Sequence, residues 1–69
     1  MLIQTGKRYL TRDNRIAKVL ATDLKGSPAA VVIEGDDYGE GSIVRRYNLD
    51  GTYGVEADRF RCFDLVKEL

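Results

Sequence analysis

Arg45 and Arg46 stand side by side in this 69-residue chain, and they are the residues best equipped for chemistry. A guanidinium is a planar fork that grips a carboxylate or a phosphate through two parallel hydrogen bonds. Neighbours on a strand point to opposite faces, so one of the two must be directed inward, into a groove or an interface. That arginine needs an anion. A carboxylate of the chain itself or an anionic ligand would serve, and the carboxylate is the commoner solution. Lys7, Arg8, Arg12, Arg15, Arg59 and Arg61 are further cations that could grip phosphates. Four tyrosines, Tyr9, Tyr38, Tyr47 and Tyr53, could stack bases. More often such residues cover a small β core with the hydroxyl at the surface. Tyr38 stands apart, because no core demands it within the glycine-rich run around it. Tyr38, Arg45, Arg46 and Tyr47 are therefore the candidate partner-binding residues.

Catalysis finds little support. The chain has no histidine, so nothing titrates near neutral pH without a large shift. Cys62 lacks the histidine of a thiol enzyme, Ser27 and Ser42 lack a triad, and no phosphate-binding glycine motif occurs. The aspartates of Thr11-Arg12-Asp13 and Thr22-Asp23 could act as bases only with raised pKa values. No enzyme and no cofactor are expected. A Cys-His zinc site is impossible, and the acidic run Glu34 to Glu40 lacks calcium-loop spacing, so no metal is expected either. Arg61 could lower the pKa of Cys62, but the commoner role is a small buried hydrophobe.

These side chains must be held by strands. No stretch repeats apolar residues at helical spacing, whereas short β-branched and aromatic runs alternate with Gly, Asp and Asn. The pattern predicts strands at Arg8–Thr11 and Arg15–Thr22, joined by a turn at Arg12-Asp13-Asn14. Ala17, Val19 and Ala21 make one face of the second strand wholly apolar. Asp23 to Pro28 is a connection. Ala29–Glu34 is apolar on both faces and belongs in the middle of a sheet. Gly35 to Gly41 reads as a long acidic hairpin loop, and Ser42–Asn48 as the next strand. Asp50-Gly51 predicts a two-residue type I′ turn into a short return strand, Tyr53–Val55. Cys62–Val66 reads as a closing strand, although the last seven residues could instead make a helical turn. The expected fold is all-β: one small antiparallel domain over residues 1–69, with five or six strands in a barrel or sandwich, SH3-like or similar. Its expected core is Ala17, Val19, Val31, Ile33, Val44 and Leu65.

Composition narrows the partners. Eleven Lys and Arg balance eleven Asp and Glu, which argues against a general nucleic-acid binder but permits a local basic face. With 43% apolar and 32% charged residues the chain is too apolar for disorder. No leader-like or membrane-spanning run occurs, and one cysteine suits a reducing compartment, so a cytoplasmic protein without membrane contact is expected. A chain this short buries only about 60–65% of its unfolded surface, so its core is marginal. With no disulfide or metal, and with sheet edges to cover, a homodimer or larger closed oligomer is expected.

The segment Gly6-Lys7-Arg8-Tyr9-Leu10-Thr11-Arg12-Asp13 resembles the opening of small accessory proteins encoded by tailed phages and prophages, which begin Gly-x-x-Tyr-x-Thr-Arg-Asp-Gly. Tyr47 to Tyr53, around an Asp-Gly pair, and Asp64-Leu65-Val66 match later features of that group. Asn14 replaces its usual glycine, a change that a left-handed asparagine absorbs. The resemblance implies action inside a bacterial host. The expected role is non-enzymatic binding of a host protein or of a small anionic, nucleotide-like ligand. A nucleic-acid-binding barrel and a structural virion component are the alternatives.

Overall fold

The computed structural model describes residues 1–38, 41–55 and 57–69, and for Asp37, Tyr38 and Ser42 the backbone alone. Five strands, β1 (Arg8–Thr11), β2 (Ile16–Ala21), β3 (Ala29–Tyr38), β4 (Gly41–Tyr47) and β5 (Leu65–Glu68), form one antiparallel sheet in the order β4-β3-β2-β1-β5. A 3-10 helix, Asp58–Phe63, leads into β5. Four strands thus meander and the fifth returns to the first, an arrangement suited to a small SH3-like barrel. The sheet is not closed, however. Its edges β4 and β5 are bridged by the hairpin between them: Tyr47 pairs with Tyr53, and the Leu65 N–H donates to the Gly51 carbonyl at 2.8 Å.

The inner face holds the core. Ala17 and Val19 of β2, Val31 and Ile33 of β3, Tyr9 of β1, Tyr47 of β4 and Leu65 of β5 are buried there with Ile3. Val44 departs from expectation, being 54% exposed. Register explains it. Val31 lies opposite Arg45 and Ala29 opposite Tyr47, so Ile43, Arg45 and Tyr47 share the inner face. Burying Tyr47 and Ile43 removes more apolar surface from water than burying Val44 would, and a period of two forbids both.

The turns carry two further corrections. Asn14 adopts φ 67°, its N–H bonds to the Thr11 carbonyl at 2.9 Å, and the Thr11 N–H reaches the Arg15 carbonyl at 2.8 Å. The Asp50-Gly51 hairpin has the same form, with Gly51 N–H to the Asn48 carbonyl at 3.1 Å and Asn48 N–H to the Thr52 carbonyl at 2.9 Å. The central residues are thus Leu49 and Asp50, neither with positive φ, followed by Gly51 at φ 91°. That is a type I turn with a glycine bulge and not the two-residue type I′ turn, which needs positive φ at both central residues. The return strand shrinks to the single bridge at Tyr53. The supposed acidic loop is mostly strand. β3 runs on to Tyr38 and β4 begins at Gly41, with a bulge at Gly35 (φ 82°) between the pairs Val32–Val44 and Asp37–Ser42. Gly39 and Glu40 lie outside the described residues. The C-terminal segment is both helix and strand: the 3-10 turn takes Cys62 and Phe63, and β5 begins only at Leu65.

Candidate functional site

Alternation along β4 sends Arg45 inward, and the Gly35 bulge brings Asp36 to meet it. Arg45 Nε donates to Asp36 Oδ2 at 2.6 Å and Nη2 to Oδ1 at 3.1 Å, while Nη1 donates to the Tyr53 hydroxyl at 3.0 Å. The Asp36 bond, opposed by burial and helped by Tyr53, raises the Arg45 pKa above its already high ordinary value, so the group stays cationic. Its guanidinium carbon lies 4.3 Å from the centre of the Phe63 ring, and that of Arg15 lies 5.0 Å from the same ring. Tyr53, Phe60 and Phe63 pack with centroids 5.1 to 6.1 Å apart, and Tyr53 meets the edge of Tyr47 at 5.3 Å. A line of rings therefore runs from the core to the surface, flanked by arginines.

Arg46 points the other way. Its Nε donates to the Ser27 carbonyl at 2.8 Å and its Nη2 to the Lys25 carbonyl at 2.5 Å, fastening the β2–β3 connection. Between the two arginines, along the outer edge of β4, runs a groove of about 270 Å³. Ile43, Val44, Arg45 and Arg46 form one wall, and Ser27, Tyr53, Gly54 and Val55 the other. Gly54 permits this closeness, since a Cβ there would sit 2.6 Å from Ser27 Oγ and 2.8 Å from the Arg46 carbonyl oxygen. The Gly54 N–H donates to that carbonyl at 2.9 Å, which shows that the Arg46 backbone faces outward. By the two-residue repeat of a strand, the N–H and C=O of Val44 face the same way, into the groove. Among the described residues, no backbone bond outside the sheet ladder reaches them.

The sequence candidates divide accordingly. Arg45 and Arg46 both line the groove. Tyr47 does not, because its ring is fully buried and its hydroxyl donates to the Phe63 carbonyl at 2.7 Å. Burial pushes its pKa up. Tyr47 therefore packs the core and presents no surface to a partner. The backbone of Tyr38 ends β3, but its side chain lies outside the described residues. Tyr9 is also core, its hydroxyl accepting the Gln4 N–H at 2.9 Å. Asp36, Phe63 and Asp64 were missed. An inward Arg45 signalled a carboxylate, but four acidic positions between 34 and 40 offered no way to choose among them. Asp64 is buried. Its Oδ1 accepts the Tyr53 N–H at 2.9 Å, and its Oδ2 lies 3.8 Å from Arg12 and 3.7 Å from Arg61.

Thr11-Arg12-Asp13 is turn chemistry. Thr11 Oγ1 accepts the Arg15 N–H at 2.8 Å and donates to Asp13, which also takes Arg15 Nε at 3.0 Å. Burial alone would raise the Asp13 pKa, but the bonds from Arg15 and Thr11 outweigh it and hold the carboxyl below 3.8. Arg12, Arg15, Arg45, Arg61 and Lys7 each have a carboxylate within 4 Å. The described residues include no cluster of three or more His, Cys, Asp or Glu able to hold a metal, and no helix long and apolar enough to cross a membrane. Compared with known proteins, the chain matches no family model, no curated protein and no solved structure.

Proposed function

We propose that this chain is a non-enzymatic binding protein that takes up an extended segment of a protein partner along the outer edge of β4. The observation that carries the reading is the groove in which the outward backbone of Val44 lies between Val55 and the two arginines. An added strand would bond to Val44 and drop alternate side chains toward Ile43 and Val55, as in other cases of strand addition. The arginines favour a protein over a small anionic ligand or a nucleic acid. The fork of Arg45 is filled by Asp36, and that of Arg46 by two backbone carbonyls. The resemblance to phage accessory proteins makes a bacterial host protein in the cytoplasm the natural partner.

Val44→Pro tests this. Proline removes the outward N–H of Val44 and is tolerated on an edge strand, where the inner ladder does not use that N–H. The expected result is that a protein captured from bacterial lysate by the wild type is lost by the variant, while far-UV circular dichroism is unchanged. Equal capture by both would remove the edge from consideration. Sedimentation of the purified protein distinguishes a second copy as occupant: a dimer dissolved by Val44→Pro would make this edge the homodimer interface.

A further inference from the structure

The outer face of the sheet is the other surface that asks for an occupant. Register sets its rows. Arg8 lies opposite Lys18, Lys18 opposite Val32, and Val32 opposite Val44, a single line across β1 to β4. Lys67, Leu10 and Ile16 form a second line, and Ala30 with Arg46 begins a third. Glu34, two residues along β3 from Val32, is the acidic member among the described side chains. Among the residues whose side chains are described, a chain with no net charge thus places four cations, Arg8, Lys18, Arg46 and Lys67, and one anion on this face, interleaved with Leu10, Ile16, Val32 and Val44. Carboxylates gather elsewhere: Asp13, Asp36 and Asp64 pair with arginines around the aromatic cluster.

A sheet with apolar residues on both faces normally carries a second layer on each. Here the inner face has one, and among the described residues the row Arg8–Lys18–Val32–Val44 has none. We infer that this outer face docks an acidic amphipathic helix of a partner protein. Three observations select that occupant. Four strands at about 4.8 Å spacing span roughly 14 Å, enough to seat a helix about 10–12 Å across. Two copies of the face would set cations against cations, so it does not pair with itself. No aromatic ring stands in these rows to stack on a base, and Leu10, Ile16 and Val32 are half-buried between longer cations, poorly placed to insert into lipid. The aliphatic rows match a partner's apolar stripe, and Arg8, Lys18 and Lys67 match carboxylates at its borders.

The test uses a synthetic helical peptide with leucines at i, i+3, i+4 and i+7 and glutamates beside them, and a twin with lysine for every glutamate. Amide shifts of the isotope-labelled full chain report the site. The acidic peptide should move Leu10, Ile16, Lys18 and Val32. Arg8→Glu with Lys18→Glu should weaken it roughly tenfold, and the lysine twin should bind weaker by a similar factor. Should the double variant fail to fold by circular dichroism, Lys18→Gln gives a smaller loss in the same direction. Equal binding of both peptides, shifts confined to the β4 groove, or no shifts at millimolar peptide would overturn the inference. Stronger shifts of these residues with phosphatidylglycerol vesicles or single-stranded DNA would overturn it too. Because Val44→Pro leaves Lys18 and Val32 in place, the peptide result stands apart from the fate of the edge groove.

Discussion

Removing the carboxylate of Asp36 should be one of the most damaging small changes this chain can suffer, and removing its partner as well should undo much of the damage. The side chains of Arg45 and Asp36 are only 20% and 10% exposed, and they share two hydrogen bonds. Breaking a fully buried pair costs about 3–5 kcal/mol, because the remaining charge has no compensation. Arg45 retains Tyr53 and the Phe63 ring and some contact with water, so the expected loss for Asp36→Ala is roughly 2–3 kcal/mol. In a domain of this size that is a fall of roughly 10–20 °C in melting temperature. Arg45→Met leaves the carboxylate stranded instead and should cost about as much. The double variant removes both charges and lays a thioether on Phe63 and Tyr53, so it should sit within about 1 kcal/mol of the wild type. Urea denaturation followed by circular dichroism, at constant m-value, gives the three differences. The refuting result is additivity: single losses below about 0.5 kcal/mol that sum to the double would mean that the pair behaves as an exposed one.

Three more outcomes follow from the same geometry. Val31→Ala, which empties a fully buried position on β3, should cost roughly 1–3 kcal/mol in the same urea assay. Asp13 has a folded pKa below its ordinary 3.8, so its contribution to stability is complete above that value and disappears as pH falls through the folded one. Thr11→Val removes one of the bonds responsible, and acid melts below pH 4 should then lose stability less steeply. The Tyr47 pKa is raised by burial, which reverses the sign: its contribution is complete below its ordinary 10 and is lost as pH rises further. Alkaline unfolding followed by tyrosinate absorbance should begin above pH 10, and Tyr47→Phe should flatten that slope while losing the bond to Phe63.

What the sequence determined by itself was whatever depends on near neighbours. Alternation in Ile16 to Ala21 marked Ala17 and Val19 as core, because a strand's side-chain period is a local property. Asn14 in a tight turn was legible from asparagine's tolerance of positive φ, and the adjacency of Arg45 and Arg46 was enough to show that one must face inward and find an anion. Choices between two locally acceptable answers belonged to the tertiary structure. β4 could have buried Val44 or Tyr47, and pairing with Ala29 and Val31 on β3 decided for Tyr47. Asp50-Gly51 fits two turn types, and the choice fell where Gly51 packs under Met1 and Leu65, with room for a Cβ only at 3.1 to 3.4 Å from their atoms. An acidic glycine run reads as loop, yet the inward Arg45 extends β3 through it by drawing in Asp36. The groove and the charged outer face lie furthest from the sequence. Each is made of residues from three or more segments: only the tertiary fold brings Val55 to the groove beside Val44, and only the register between strands puts Arg8, Lys18 and Val32 in one row.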